Sequence, residues 1–133
     1  MEKIFIVLFL AGLLFSCSKD TEREADSDLV GKWKLTEMLL DPGDGSGTFY
    51  PVSSDKIIEF YADGTVKSNG SICNISTESG NPSEATYSLT DSTIHSSDCS
   101  ILPNAIRFTM KGSVLILRYP CDEPCQAKLV KER

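Results

Sequence analysis

The sequence predicts an all-β domain, an antiparallel barrel or sandwich, and three observations carry that reading. From Leu29 onward, short stretches alternate apolar with polar residues, the period-two signature of half-buried strands. Gly, Pro, Asn and Asp punctuate them at intervals of about 8–12 residues, the rhythm of barrels and sandwiches. No segment after the N-terminal apolar run places apolar residues at helical spacing over three turns.

The elements follow in order. Trp33, Leu35 and Leu39 alternate with Lys32, Lys34 and Thr36, which predicts a first strand with one apolar face. The run from Asp41 to Ser54 is rich in Gly and Pro, and reads as a long loop with Phe49 and Tyr50 near its far end. Lys56 to Tyr61 and Thr65 to Ser68 flank Ala62-Asp63-Gly64, the strongest hairpin signal in the chain. Ser71 to Ser76 is a candidate strand, and Thr77 to Ser83 a loop. Ala85, Tyr87 and Leu89 mark a further strand, followed past Asp91-Ser92 by a weak one through Ile94. Ile106, Phe108 and Met110 alternate with Arg107, Thr109 and Lys111. Val114 to Tyr119 is apolar on both faces and predicts the most buried strand. Ala127 to Val130 is a final edge or closing strand.

The N-terminus carries an address. Glu2 and Lys3 precede an unbroken apolar run from Ile4 to Phe15, too short to span a bilayer but of the length of a signal-peptide hydrophobic region. Leu14-Phe15-Ser16-Cys17 resembles the bacterial lipobox, in which a small residue precedes the cysteine that receives lipid. The chain then divides into a lipoprotein signal peptide (1–16), a lipidated Cys17 with a flexible tether (17–28), and one folded domain (29–133). A cleaved secretory signal is the rival reading. Ser18 to Asp28 holds one apolar side chain, Ala25, and cannot pack. Its charged opening resembles signals that send some Gram-negative lipoproteins to the outer face of the outer membrane; a merely solvated linker fits as well.

Composition narrows the rest. Removing residues 1–16 from the 133 leaves enough chain for one core and not for two. The formal charge stays at −6, because Glu2 and Lys3 leave together, and that acidity argues against nucleic acid. Of five cysteines, Cys17 is assigned to lipid; Cys73, Cys99, Cys121 and Cys125 remain, an even number that reads as two disulfides in an oxidising compartment. Three connectivities are open. The closeness of Cys121 to Cys125 favours that pair, leaving Cys73 with Cys99. The rival is zinc held by Cys121-x3-Cys125 with His95-x3-Cys99, although neither spacing is a usual structural-zinc one.

Gly31-Lys32-Trp33 is the Gly-x-Trp that opens lipocalin-type barrels. Ile57 to Thr65 (IIEFYADGT) resembles the second and third strands of bacterial lipocalin-like lipoproteins, and Leu115 to Lys128 resembles their cysteine-clipped C-terminal hairpin. The resemblance runs from Leu29 to the end of the chain and implies an up-and-down lipocalin-like barrel of about eight strands. It lacks the C-terminal helix of larger lipocalins. It also implies a triacylated Cys17, a firm anchor because each buried methylene contributes about 0.8 kcal/mol. In such barrels the first-strand Trp plugs the closed end beneath an Arg or Lys of the last strands, so Trp33 with Arg118 is the expected structural pair. Phe49 and Tyr50 fall at the expected mouth, either gating a ligand cavity or folding down as a lid over the core.

Nothing points to an enzyme, a cofactor or a resident metal. His95 is the lone histidine, and there is no nucleophile elbow, zinc-protease motif or phosphate loop. Gly43, Gly45 and Gly47 lack the following helix that a nucleotide site requires. Glu37 and Glu59 fall on strands, but Glu59 alternates with Ile58 and Phe60 and belongs to the solvated face. Asp91-Ser92-Thr93 resembles an O-glycosylation tripeptide of exported bacterial proteins. Two classes remain. One is a membrane-anchored binding module of the cell envelope for a small hydrophobic ligand. The other is a structural or protein-interaction lipoprotein with a filled core, docking on another envelope protein.

Overall fold

The computed structural model describes residues 27–99 and 105–133. The expected signal sequence, the expected lipidation site Cys17 and the expected tether as far as residue 26 lie outside the described residues. Nine strands form in chain order: β1 (Gly31–Leu40), β2 (Tyr50–Pro51), β3 (Ile57–Phe60), β4 (Thr65–Ser68), β5 (Ser83–Ser88), β6 (Thr93–His95), β7 (Ile106–Lys111), β8 (Val114–Arg118) and β9 (Cys125–Lys131). From β3 to β9 each strand pairs antiparallel with the next, and β1 pairs with β3 on one side and β9 on the other. Eight strands thus close into an up-and-down barrel, and β2 is a short ribbon added beside the far half of β1. The last strand is therefore a closing strand and leaves no edge there.

The inward faces follow the alternation with one correction. Trp33 and Leu35 point inward, and then the register slips between Leu35 and Glu37 in the pairing with β9. The slip is a β-bulge, and it transfers the inward position from the expected Leu39 to Met38, which is buried while Leu39 is only half-buried. Elsewhere Ile58, Phe60, Val66, Ala85, Ile94, Ile106, Phe108, Leu115, Leu117, Ala127 and Leu129 fill the interior. Phe60 sits between Tyr87 and Phe108, with ring centroids at 5.2 and 6.0 Å and both contacts edge-to-face. Leu89 is exposed, because the chain leaves the sheet after Ser88.

The two ends of the barrel differ. One end carries the tight connections: the Asp63-Gly64 hairpin, the 89–92 turn with Ser92 in the left-handed region, and the turn at Gly112. The other carries the long ones, of which residues 41–56, 69–82, 96–99 and 119–124 are described. Ser71 to Ser76 is not a strand but part of a loop folded over that end. Its side chains and backbone are tied down locally: Ile72 N–H donates to Ser83 Oγ, Ser83 Oγ donates to the Gly70 carbonyl, and Gly80 N–H donates to the Asn69 carbonyl. Two disulfides, Cys73–Cys99 and Cys121–Cys125, fasten these long connections.

Candidate functional site

A barrel of this size either fills its interior with side chains or holds one small ligand there, so the interior is the first place to look. At the end with tight turns, Trp33 is 0% exposed and its indole Nε1 donates to the Leu29 carbonyl at 2.8 Å, satisfying the only polar atom of the ring. At the other end Lys56 is only 2% exposed. Its ammonium donates to the carbonyls of Asn74 and Ser76 at 3.3 and 3.2 Å, pinning the 69–82 loop over the opening. Burial lowers the Lys56 pKa from 10.5 to about 8. Ile72, 0% exposed, plugs beneath that loop. Among the described residues, a gap between Leu35, Ile58, Lys56, Tyr119 and Leu129 has no room for a water molecule.

The outer wall offers more space. A groove of about 500 Å3 runs across β6, β7 and β8, lined by Asp91, Thr93, His95, Arg107, Arg118 and Asp122 among others. Thr93 stands opposite Arg107, and Arg107 opposite Arg118, so all three side chains share the outer face. Thr93 Oγ donates to Asp91 Oδ1 at 2.6 Å and lies 2.8 Å from His95 Nε2. A hydroxyl has one proton; because Asp91 receives it, His95 Nε2 must carry the hydrogen between them. Hydrogen bonds from Thr93 and then Ser88 hold the Asp91 carboxyl below its ordinary range.

A lipocalin-like domain model matches residues 29–128. The chain belongs to the lipocalin-like domain family. No curated protein and no solved structure matches it. Lipocalin-like domains are generally binding folds rather than enzymes, which directs attention to what this one leaves open and what it closes.

Trp33 lies at the closed end of the lipocalin-like barrel, but its cation is not Arg118. Alternation along β8 turns Leu115, Leu117 and Tyr119 inward and Arg118 outward, onto the groove. Lys131, directly opposite Trp33 on β9, places its ammonium 5.5 Å from the centre of the indole ring instead. Phe49 is neither gate nor lid. It lies on the outer wall beneath the Lys128 ammonium, 4.3 Å from its ring centre, and Lys128 is drawn there by Glu37 at 2.7 Å. Tyr50 stands at the rim opposite Met38 and is 41% exposed. The residue of this loop that packs on the core is Val52, whose N–H donates to the Thr36 carbonyl.

The other candidates are used locally. Glu37 and Glu59 do not meet: Glu37 pairs with Lys128, and Glu59 accepts from the Tyr61 hydroxyl at 2.8 Å. The glycine-rich loop folds around an anion of its own. Gly43, Gly45 and Gly47 N–H groups all donate to the Asp41 carboxylate, which lowers its pKa, the bond from Gly47 contributing most. Cys73, Cys99, Cys121 and Cys125, which the zinc alternative would draw on, are spent in the two bridges.

Three residues escaped the sequence reading. Lys56 shares strand parity with Ile58 and Phe60, and Lys131 follows Leu129 by two; both signals were there, masked by the assumption that lysine faces water. Arg107 alternates with Ile106 and Phe108 and so was legible as outward, but its opposition to Arg118 requires the register of β7 on β8.

Proposed function

We propose that this protein is a membrane-anchored envelope lipoprotein whose lipocalin-like barrel works through its outer surface, on a partner or small polar ligand, rather than by carrying an apolar molecule inside. The observation that supports this reading is the filled interior. Trp33 and Leu29 occupy one end, Lys56 and Ile72 the other, and the gap between them admits no water. An apolar ligand of ordinary size needs a cavity of about 300 Å3 or more; opening one among these side chains means expelling them, and the hollow of about 330 Å3 beside Leu29 and Phe108 is open to solvent rather than enclosed. The anchor rests on the Leu14-Phe15-Ser16-Cys17 sequence.

Two measurements test the reading. Palmitate labelling should mark the wild type and send it to membranes, while Cys17→Ala should be unlabelled and soluble. N-phenylnaphthylamine, an apolar dye, should show no saturable binding to the native protein. Saturable dye binding that Phe60→Ala alters would return the interior to the role of ligand site.

A further inference from the structure

We infer that the groove on the outer wall is a binding site for one small oxyanion, the phosphate or carboxylate group of a polar molecule, clamped between Arg107 and Arg118. The inference rests on the outer-surface reading above and names the ligand chemistry of that surface.

Arg107 and Arg118 face each other directly across β7 and β8. Like charges at directly opposed positions destabilise a sheet. Among the described residues neither guanidinium forms an ion pair to offset the repulsion, since the ion pairs there are Lys67–Glu84 and Lys128–Glu37. Both arginines line the same hollow of about 500 Å3, a size typical of small-molecule sites. Each guanidinium is a planar fork of donors suited to two oxygens of one carboxylate or phosphate. An anion between them turns the repulsion into a shared attraction.

The acidic residues of the groove limit the ligand without excluding it. Asp91 follows β5 and Asp122 lies in the Cys121–Cys125 clip, so they flank the arginine pair from opposite ends of the barrel wall. Asp91 is already engaged by Thr93. Carboxylates on both flanks, on a chain of net charge −6, repel an extended polyanion and leave room for a single anionic group.

The test uses the full chain in sodium chloride, with phosphate or acetate added at constant ionic strength. Either anion should raise the thermal midpoint in a saturable way, as a ligand bound only by the native state does. Arg107→Gln and Arg118→Gln should each raise the midpoint in chloride alone, by removing the repulsion, and should lose the phosphate and acetate increments. Arg118→Lys keeps the charge but not the fork and should weaken binding about tenfold. No increment from either anion in the wild type, or increments that survive in both Gln variants, would overturn the clamp. The source of the oxyanion is read with Cys17→Ala protein and vesicles. Co-sedimentation with phosphatidylglycerol over phosphatidylcholine vesicles, lost in Arg107→Gln, assigns a lipid headgroup. Increments from dissolved anions without vesicle binding assign a free small molecule; both support the clamp. If neither anions nor the apolar dye bind, the clamp falls and the outer-surface reading stands. Saturable dye binding that Phe60→Ala alters brings down the outer-surface reading whatever the anions do.

Discussion

The Lys131 ammonium stands 5.5 Å from the centre of the Trp33 indole, across the closing pair of strands. That contact joins the two ends of the folded domain in sequence: the first strand supplies the plug and the last residue of β9 covers it. The indole is fixed from a third direction by its hydrogen bond to the Leu29 carbonyl. The closed end of the barrel is therefore held by packing, by hydrogen bonds that include Trp33 to the Leu29 carbonyl and the Lys131 ammonium to the Asp28 carbonyl, and by one cation–π contact.

Trp33→Ala should cost about 3–5 kcal/mol, the usual penalty for emptying a large aromatic core site. Lys131→Met, which keeps the aliphatic stem and removes the charge, should cost about 1 kcal/mol or less, because the ammonium is partly solvated. Denaturant unfolding measures both. Native Trp33 emission should be blue-shifted and poorly quenched by iodide. A red-shifted, freely quenched signal would contradict its burial.

Lys56 makes stability depend on pH in the alkaline range. Its folded pKa is about 8 against an ordinary 10.5, so below pH 8 the native state bears the full cost of a buried charge. Between pH 8 and 10.5 the native protein releases a proton that the unfolded chain retains, and stability rises with pH. The gain should be on the order of 2–3 kcal/mol at most. Above about pH 10 the trend should reverse, because burial raises the Tyr119 pKa and only the unfolded chain ionises that phenol. Urea midpoints from pH 7 to 10 should climb in the wild type and stay flat in Lys56→Met.

The disulfides should differ in weight. Cys73–Cys99 spans a sequence separation of 26 and Cys121–Cys125 one of 4. On the chain-entropy account, opening the longer loop costs about 3.5 kcal/mol and the shorter about 2. Cys73→Ala with Cys99→Ala should thus lower the unfolding midpoint further than the matching pair at Cys121 and Cys125. Non-reduced peptide maps should recover both pairings.

Gly70 is a position where a methyl group cannot fit. A Cβ there would run into the Glu78 carbonyl oxygen, a backbone atom held in the 69–82 loop. Gly70→Ala should cost about 1–3 kcal/mol by forcing that loop away from the barrel end. Fluorescence of Trp33, at the opposite end, should change little in the folded variant. Wild-type stability in Gly70→Ala would show that the loop is looser than its hydrogen bonds indicate.

The sequence by itself determined the strand content, the Asp63-Gly64 hairpin and nearly every inward residue from Ile58 to Leu129. Alternation is a local property, and a strand exposes its two faces to different media whatever it pairs with. The Gly31-Lys32-Trp33 start and the clipped hairpin pointed to the family on the same local grounds. Pairing decided the rest. The bulge after Leu35 exists only in the match of β1 to β9, so alternation assigned Leu39 inward where Met38 stands. Which cation covers Trp33 depends on the strand that lies opposite it, which made Lys131 the partner and turned Arg118 to the outer wall. The Ser71–Ser76 segment has strand-like residues, yet it lies where the barrel end must be covered, and Lys56 and Ile72 hold it there as a loop. Whether the barrel is hollow or full is likewise a sum over contacts between distant segments, and no stretch of sequence carries that sum.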